Sequence, residues 1–330
     1  MAALTYLVTG AAGFIASTVA RMLLDAGHEV VGIDNLNNAY DPVLKHWRLE
    51  QLAGRPGFSF RQVDICDRGG LEPIFVERRS TPFAGVLNLA ARAGVRASVE
   101  NPWVYFSTNV DGTLNLLDLC RRYGVMKFVL ASTSSLYGGH NALPFREDDD
   151  TDRPLSPYAA SKKAAEALAY SYHHLHKLDV SVLRYFTVYG PAGRPDMSVF
   201  RFVRQICEGE PITIFGDGAQ SRDFTYVDDI ARGTIAALKP MGFAIINLGG
   251  DRPVELMEVV RQIAALAGRS PVIQYRGAHP ADVPATWASI ERAKYELGWS
   301  PETYLVEGLT ACIAWFSQNR DLACRVQMIE

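Results

Sequence analysis

The sequence predicts an α/β fold: a Rossmann-type, doubly wound parallel sheet with helices on both faces, joined to a smaller interleaved α/β lobe. Three features carry that reading. A glycine-rich turn follows the first apolar run. Short apolar runs then alternate with helical segments up to about residue 187. Inside one of those segments a tyrosine and a lysine stand one helical turn apart.

Residues 4–9 form a short apolar run ending in glycine, as a buried parallel strand does, and 14–26 have helical periodicity that stops at Gly27. Strands are expected at 29–34, 58–64, 85–90, 126–132 and 179–185, with helices at about 70–78, 101–123 and 157–177. Ser156 and Pro157 supply an N-cap and a first helical residue, so the last of these helices starts cleanly. After residue 185 the rhythm changes. A Gly-Pro loop at 190–195 leads to a helix near 198–208, a strand at 212–215, a turn at 216–218 and a helix from Val227. A strand at 244–248 and helices near 255–267, 290–297 and 305–318 complete the chain. The expected division is a nucleotide domain of residues 1–187, with 222–248 returning to it, and a second lobe of 188–221 and 249–330.

A chain of 330 residues with 48% hydrophobic and 21% charged residues has ample material for a core. A net charge of −3 gives no reason to expect nucleic acid or an anionic membrane as partner, so an anionic ligand must be held by local cations. The five cysteines are widely spaced and form neither a disulfide framework nor a zinc pattern. With the first strand starting at residue 4 and no apolar run of spanning length, the expected location is the cytoplasm. His173, His174 and His176 do not share one helix face, and no metal is expected.

In Gly10-Ala11-Ala12-Gly13-Phe14-Ile15-Ala16 the first glycine makes the tight turn. The second lets the backbone approach a pyrophosphate seated on a helix N-terminus, and Ala16 is small enough for close helix–strand packing. Asp34 ends the second strand, where a carboxylate accepts both ribose hydroxyls and repels a 2′-phosphate. Asn35 follows it in place of arginine, so NAD is preferred over NADP. Asp64, after the third strand, is placed near the adenine edge. Tyr158 and Lys162, at i and i+4, project from one helix face. There the ammonium is expected to lower the phenol's pKa, so that the phenolate works as a general base.

These residues resemble the extended short-chain dehydrogenase/reductase family, and within it the nucleotide-sugar epimerases. The resemblance runs through 89–96, 109–113, 131–138, 184–191 and 222–229. Two stretches, Asp34-Asn35-Leu36-Asn37-Asn38-Ala39-Tyr40-Asp41-Pro42 with Leu44-Lys45, and Gly193-Arg194-Pro195-Asp196-Met197, are similar to the UDP-glucuronic acid 4-epimerases in particular. The resemblance implies that Tyr158 removes the proton of the sugar 4-hydroxyl while hydride leaves carbon 4 for bound NAD. The keto sugar then turns and hydride returns to its other face. Lys162 also holds the nicotinamide ribose, and Thr133 bonds the reacting oxygen. It further implies cofactor contacts at Gly10, Gly13, Phe14, Ile15, Asp34, Asn35, Asp64, Ile65, Leu89, Ala90, Ala91, Asn109, Ser132 and Tyr185.

Substrate contacts are implied at Arg96, Thr187, Val188, Arg194, Arg222 (phosphate) and Asp282 (uridine ribose). Related 4,6-dehydratases carry an Asp-Glu pair where this chain has Ser134-Ser135, and the decarboxylases carry Glu at the second position. A serine does not do a carboxylate's acid–base work, which disfavours both reactions. Ser134 and Ser135 join the expected catalytic set, although turn chemistry also explains them. Thr187 stands where many neutral-sugar epimerases have Asn. Arg194 either clamps a substrate carboxylate or pairs with Asp196. His279 stands where many of those enzymes have arginine.

The resemblance also implies a homodimer through helices 101–123 and 157–177. Alternatives to UDP-glucuronate are a neutral or N-acetylated UDP-hexose, decarboxylation, or a non-catalytic NAD sensor.

Overall fold

The computed structural model describes residues 3–277 and 283–328. Seven parallel strands form one sheet in the order Phe243–Leu248, Asp179–Tyr185, Lys127–Thr133, Gly85–Asn88, Thr5–Thr9, Glu29–Asp34, Phe58–Gln62. The strand order reverses between Thr5–Thr9 and Gly85–Asn88, and a ligand crevice is expected at the carboxyl ends there. Gly85–Asn88 and Lys127–Thr133 are buried along their whole length, which is why they read as runs and not as alternation. Side chains from these strands enter opposite layers. Val8 and Val129 join the helices Phe14–Asp25 and Val227–Ala236, while Leu7, Phe128 and Leu130 join Arg68–Val76, Gly112–Tyr123 and Pro157–His176. Buried Thr9 closes the crevice floor. Its hydroxyl donates to Asn88 Oδ1 (2.8 Å) and accepts from the N–H groups of Leu89 (3.1 Å) and Ala90 (3.0 Å).

A third apolar cluster lies in the smaller lobe, between the helices Ser198–Glu208, Leu256–Ala267 and Leu305–Gln318. Two small sheets border it. Thr187–Tyr189, Ser221–Tyr226 and Pro253–Glu255 form one, and Ile212–Phe215 pairs with Ile273–Arg276 in the other. Tyr40 and Leu44 also join this cluster, so the stretch after the second strand packs with the smaller lobe.

The expected strands at 29–34 and 179–185 and the helix at 198–208 appear as read. Other stretches differ. The expected helix over 101–123 is three pieces: Pro102–Phe106, a π-helical turn Ser107–Asp111, and Gly112–Tyr123. The wide turn carries Asn109 inward, where its amide donates to Ser161 Oγ (2.9 Å) and the Arg92 carbonyl (3.0 Å). Gly112 lies so close to Ile65 that a Cβ there would come within 2.6 Å of its side chain. Residues 293–297 likewise form a π-type turn, not an α-helix. A helix not expected from periodicity, Val43–Leu52, buries Lys45 and Arg48 on its inward face, and two charges there break the apolar pattern.

Candidate active site

The turn after the first strand is a cradle of main chain. Gly10 has φ +69, and a Cβ on it would lie 2.9 Å from the Ala90 backbone. A Cβ on Gly13 would lie 2.8 Å from the Gly10 carbonyl oxygen. Gly13 caps the helix Phe14–Asp25 without a side-chain bond, which leaves first-turn amides for an anion. A cavity of about 350 Å³ runs from this cradle along the strand ends. Asp34 lines it, accepting from Ala12 N–H (3.2 Å), Leu36 N–H (2.8 Å) and buried Lys45 Nζ (3.4 Å). Asp64 accepts from Asn35 Nδ2 (2.7 Å) and Cys66 N–H (2.8 Å) at the same end. Glycines that admit no Cβ, open amides and a carboxylate beyond them suit an adenine dinucleotide without a 2′-phosphate.

Farther along, Ser156 Oγ accepts from Ala159 N–H (3.2 Å) and starts the helix Pro157–His176. This helix brings Tyr158 and Lys162 to the cavity opposite Thr133, Ser134 and Ser135. Lys162 lines the cavity with Tyr158. Its ammonium donates to the Ala131 carbonyl (2.8 Å), and burial pulls its pKa down to about 8, against the attraction of Glu166. Burial raises the pKa of Tyr158, and the groups that oppose the rise are a Thr133 hydrogen bond and the charge of Arg194. Thr133 Oγ1 accepts from Ser135 N–H (3.1 Å) and donates to Ser135 Oγ (3.2 Å), so the serine run makes a turn and lines the site at once.

Of the expected contacts, the cavity brings together the glycine turn with Phe14 and Ile15, then Asp34, Asn35, Asp64 and Ile65. It also collects Leu89, Ala90, Ala91, Ser132, Tyr185, Thr187, Val188 and Arg194. Among the described residues, three expected ones stand apart. Asn109 lies behind the wall and ties Arg92 to the Tyr-Lys helix. The Arg96 guanidinium lies 4.0 Å from the Phe215 ring centroid and not on the cavity wall. Arg222 is also off the wall, donating to the Ser221 carbonyl (2.8 Å). Asp282 and His279 lie outside the described residues. Arg194 meets one of its two expected descriptions, the pairing with Asp196. Nε and Nη2 bond the Asp196 carboxylate (3.0 and 2.5 Å), yet the residue lines the cavity with Tyr158. Tyr40, Lys45 and Met197 also line it and were given no role from sequence. Burial of Lys45 would have needed the unrecognised helix to be seen.

The chain matches the NAD dependent epimerase/dehydratase family over residues 6–249. It belongs to that family. It is 55% identical over 318 residues to the UDP-glucuronate 4-epimerase of Thermodesulfobacterium geofontis, covering 96% of this chain and 97% of that one. Among solved structures it is similar to the UDP-glucuronic acid 4-epimerase of Bacillus cereus in complex with UDP-glucuronic acid and NAD. There the TM-score is 0.90 and the identity 36%, over 96% of this chain and 99% of that one. The UDP-glucose 4-epimerase of Thermotoga maritima with UDP-glucose gives a TM-score of 0.88 at 32% identity, over 96% and 100% of the two chains. No helix among the described residues is long and apolar enough to cross a membrane.

Proposed function

We propose that this family member is an NAD-dependent UDP-sugar 4-epimerase, an isomerase, that interconverts UDP-glucuronate and UDP-galacturonate. The carrying observation is that Arg194 shares a cavity with Tyr158 and Thr133 and its charge is felt by the phenol. A guanidinium beside the general base binds a sugar carboxylate while the 4-hydroxyl meets the phenolate. Bound NAD supplies the hydride acceptor, and after reduction the donor, that lets carbon 4 invert. Tyr158 takes the 4-hydroxyl proton and later returns it. Thr133 bonds the same oxygen, and Lys162 holds the ribose next to the nicotinamide. Ser134 and Ser135 offer no carboxylate for a further acid–base step, which favours epimerisation over dehydration or decarboxylation. The nucleotide half of 1–187 with 222–248 holds NAD, and the lobe of 188–221 and 249–330 holds the UDP-sugar.

Incubation with UDP-glucuronate and, separately, UDP-glucose, with chromatographic resolution of products, tests this reading. UDP-galacturonate is expected as the main new species. Conversion of UDP-glucose alone would establish a second reading, a neutral-sugar epimerase, which the Arg194–Asp196 pair favours by occupying the guanidinium. A homodimer fits the exposed Trp103 (83%), Phe106 (41%) and Tyr170 (53%) on the helices of 102–123 and 157–176. Monomers alone in sedimentation at micromolar concentration would contradict it.

A further inference from the structure

Arg48 is a buried cation, 3% exposed, on the helix Val43–Leu52, and no carboxylate among the described residues pairs with it. Its guanidinium is held by neutral oxygens from three separate segments. Nη1 donates to the Ala12 carbonyl of the phosphate turn (3.1 Å) and to the Tyr40 hydroxyl (2.7 Å). Nε and Nη2 donate to the Ala192 carbonyl (3.1 and 2.7 Å), and Nη2 also donates to the Gly193 carbonyl (3.2 Å). Five N–H groups meet five oxygen contacts, which satisfies the fork's hydrogen bonding without neutralising its charge. A buried charge left unpaired is costly to keep.

Two details show where the force is applied. Ala192 has φ +50, the left-handed region that a non-glycine residue occupies at a cost, and its carbonyl is gripped twice. The next carbonyl held, that of Gly193, belongs to the peptide that leads into Arg194. The Tyr40 ring is shared between the two arginines, 5.5 Å from Arg48 and 5.8 Å from Arg194. Lys45, on the same helix, reaches Asp34 at the adenosine end. One side chain therefore joins the back of the phosphate turn to the loop that carries the carboxylate clamp.

We propose that Arg48 is a positioning residue that locks the Arg194 loop to the phosphate turn and so couples cofactor binding to selection of the acidic sugar. Its charge stands behind the turn and favours an anionic diphosphate there. Its planar fork sets the strained Ala192-Gly193 backbone and with it the position of Arg194. A lysine carries the same charge but lacks the fork, so it keeps the first role and loses the second. The sugar half of this inference rests on the proposed uronate activity, while the link between turn and loop does not.

The test compares the unmodified chain with Arg48→Lys by amide hydrogen exchange of residues 190–197, with and without NAD. NAD is expected to slow exchange in this loop in the unmodified chain, and the effect is expected to vanish in Arg48→Lys although NAD still binds. In kinetics, KM for UDP-glucuronate should rise roughly tenfold with kcat little changed and UDP-glucose unaffected, within the usual size of site-to-site coupling. Equal protection of the loop in both proteins overturns the proposal, whichever sugar the enzyme uses. Should Arg48→Lys not fold, Tyr40→Phe removes one of the four acceptors and leaves the guanidinium. Weakened protection there supports the coupling, and unchanged protection overturns it.

Discussion

At the phosphate-turn end the cavity wall is main chain: Gly10, Gly13 and the amides that open the helix at Phe14. At the other end it is side chain: Thr133, Tyr158, Lys162 and Arg194, delivered by a strand, a helix and a loop. A wall of backbone needs particular residues, because a Cβ would meet Ala90 or the Gly10 carbonyl oxygen, and so it leaves a pattern in the sequence. A wall of side chains needs only that distant residues arrive together with the right orientation. The first end fixes the class of cofactor. In the proposed function, the second decides which sugar reacts and how.

Removing one group from each end separates the two. Tyr158→Phe keeps the ring and removes the acid–base oxygen, so turnover should fall by ~10²–10⁴ while the protein stays folded and NAD stays bound. Initial rates together with NAD content of the purified protein measure this. Near-normal turnover in a folded variant would take Tyr158 out of the mechanism and leave the side-chain end without a base.

The converse change is Asp34→Ala. It strips the carboxylate from Ala12 N–H, Leu36 N–H and Lys45 Nζ at the cofactor end. NAD binding should weaken about ten- to a hundredfold, the usual worth of hydrogen bonds to a charged group. The preference over NADP should also narrow, because the Lys45 ammonium is then left without the Asp34 carboxylate. Calorimetric titration with both dinucleotides reads the effect. Tighter binding of NADP than of NAD by the unmodified chain would contradict the role given to Asp34.

Legibility followed the same division. The glycine turn, Asp34 and the Tyr-Lys pair were readable because backbone geometry and helical spacing tie them to fixed sequence distances. The helix Val43–Leu52 was not readable, because Lys45 and Arg48 fill the positions where apolar residues mark an inward face. The π-helical turn Ser107–Asp111 left no signal in a helix-like stretch, and the strand Thr187–Tyr189 is only 3 residues long. Arg96 and Arg222 show the limit for side chains. Both belong to stretches that carry site residues, yet one guanidinium stacks on Phe215 and the other bonds the Ser221 carbonyl. The Lys162 ammonium on the Ala131 carbonyl makes the same point, since i, i+4 spacing sets a shared face and not a contact.

The central claim is that Arg194 selects an acidic sugar at a site where Tyr158 does the proton transfer. The measurement that reaches it most directly is kcat/KM for UDP-glucuronate and for UDP-glucose, in the unmodified chain and in Arg194→Ala. Loss of a hydrogen-bonded contact to a charged group costs ~1.5–3 kcal/mol, or roughly ten- to a hundredfold in kcat/KM. That loss should fall on UDP-glucuronate on top of a smaller loss shared by both sugars, because the Arg194 charge also opposes the rise of the Tyr158 pKa. Equal losses on both sugars would make the Arg194–Asp196 pair a structural tie of the loop and contradict the carboxylate clamp.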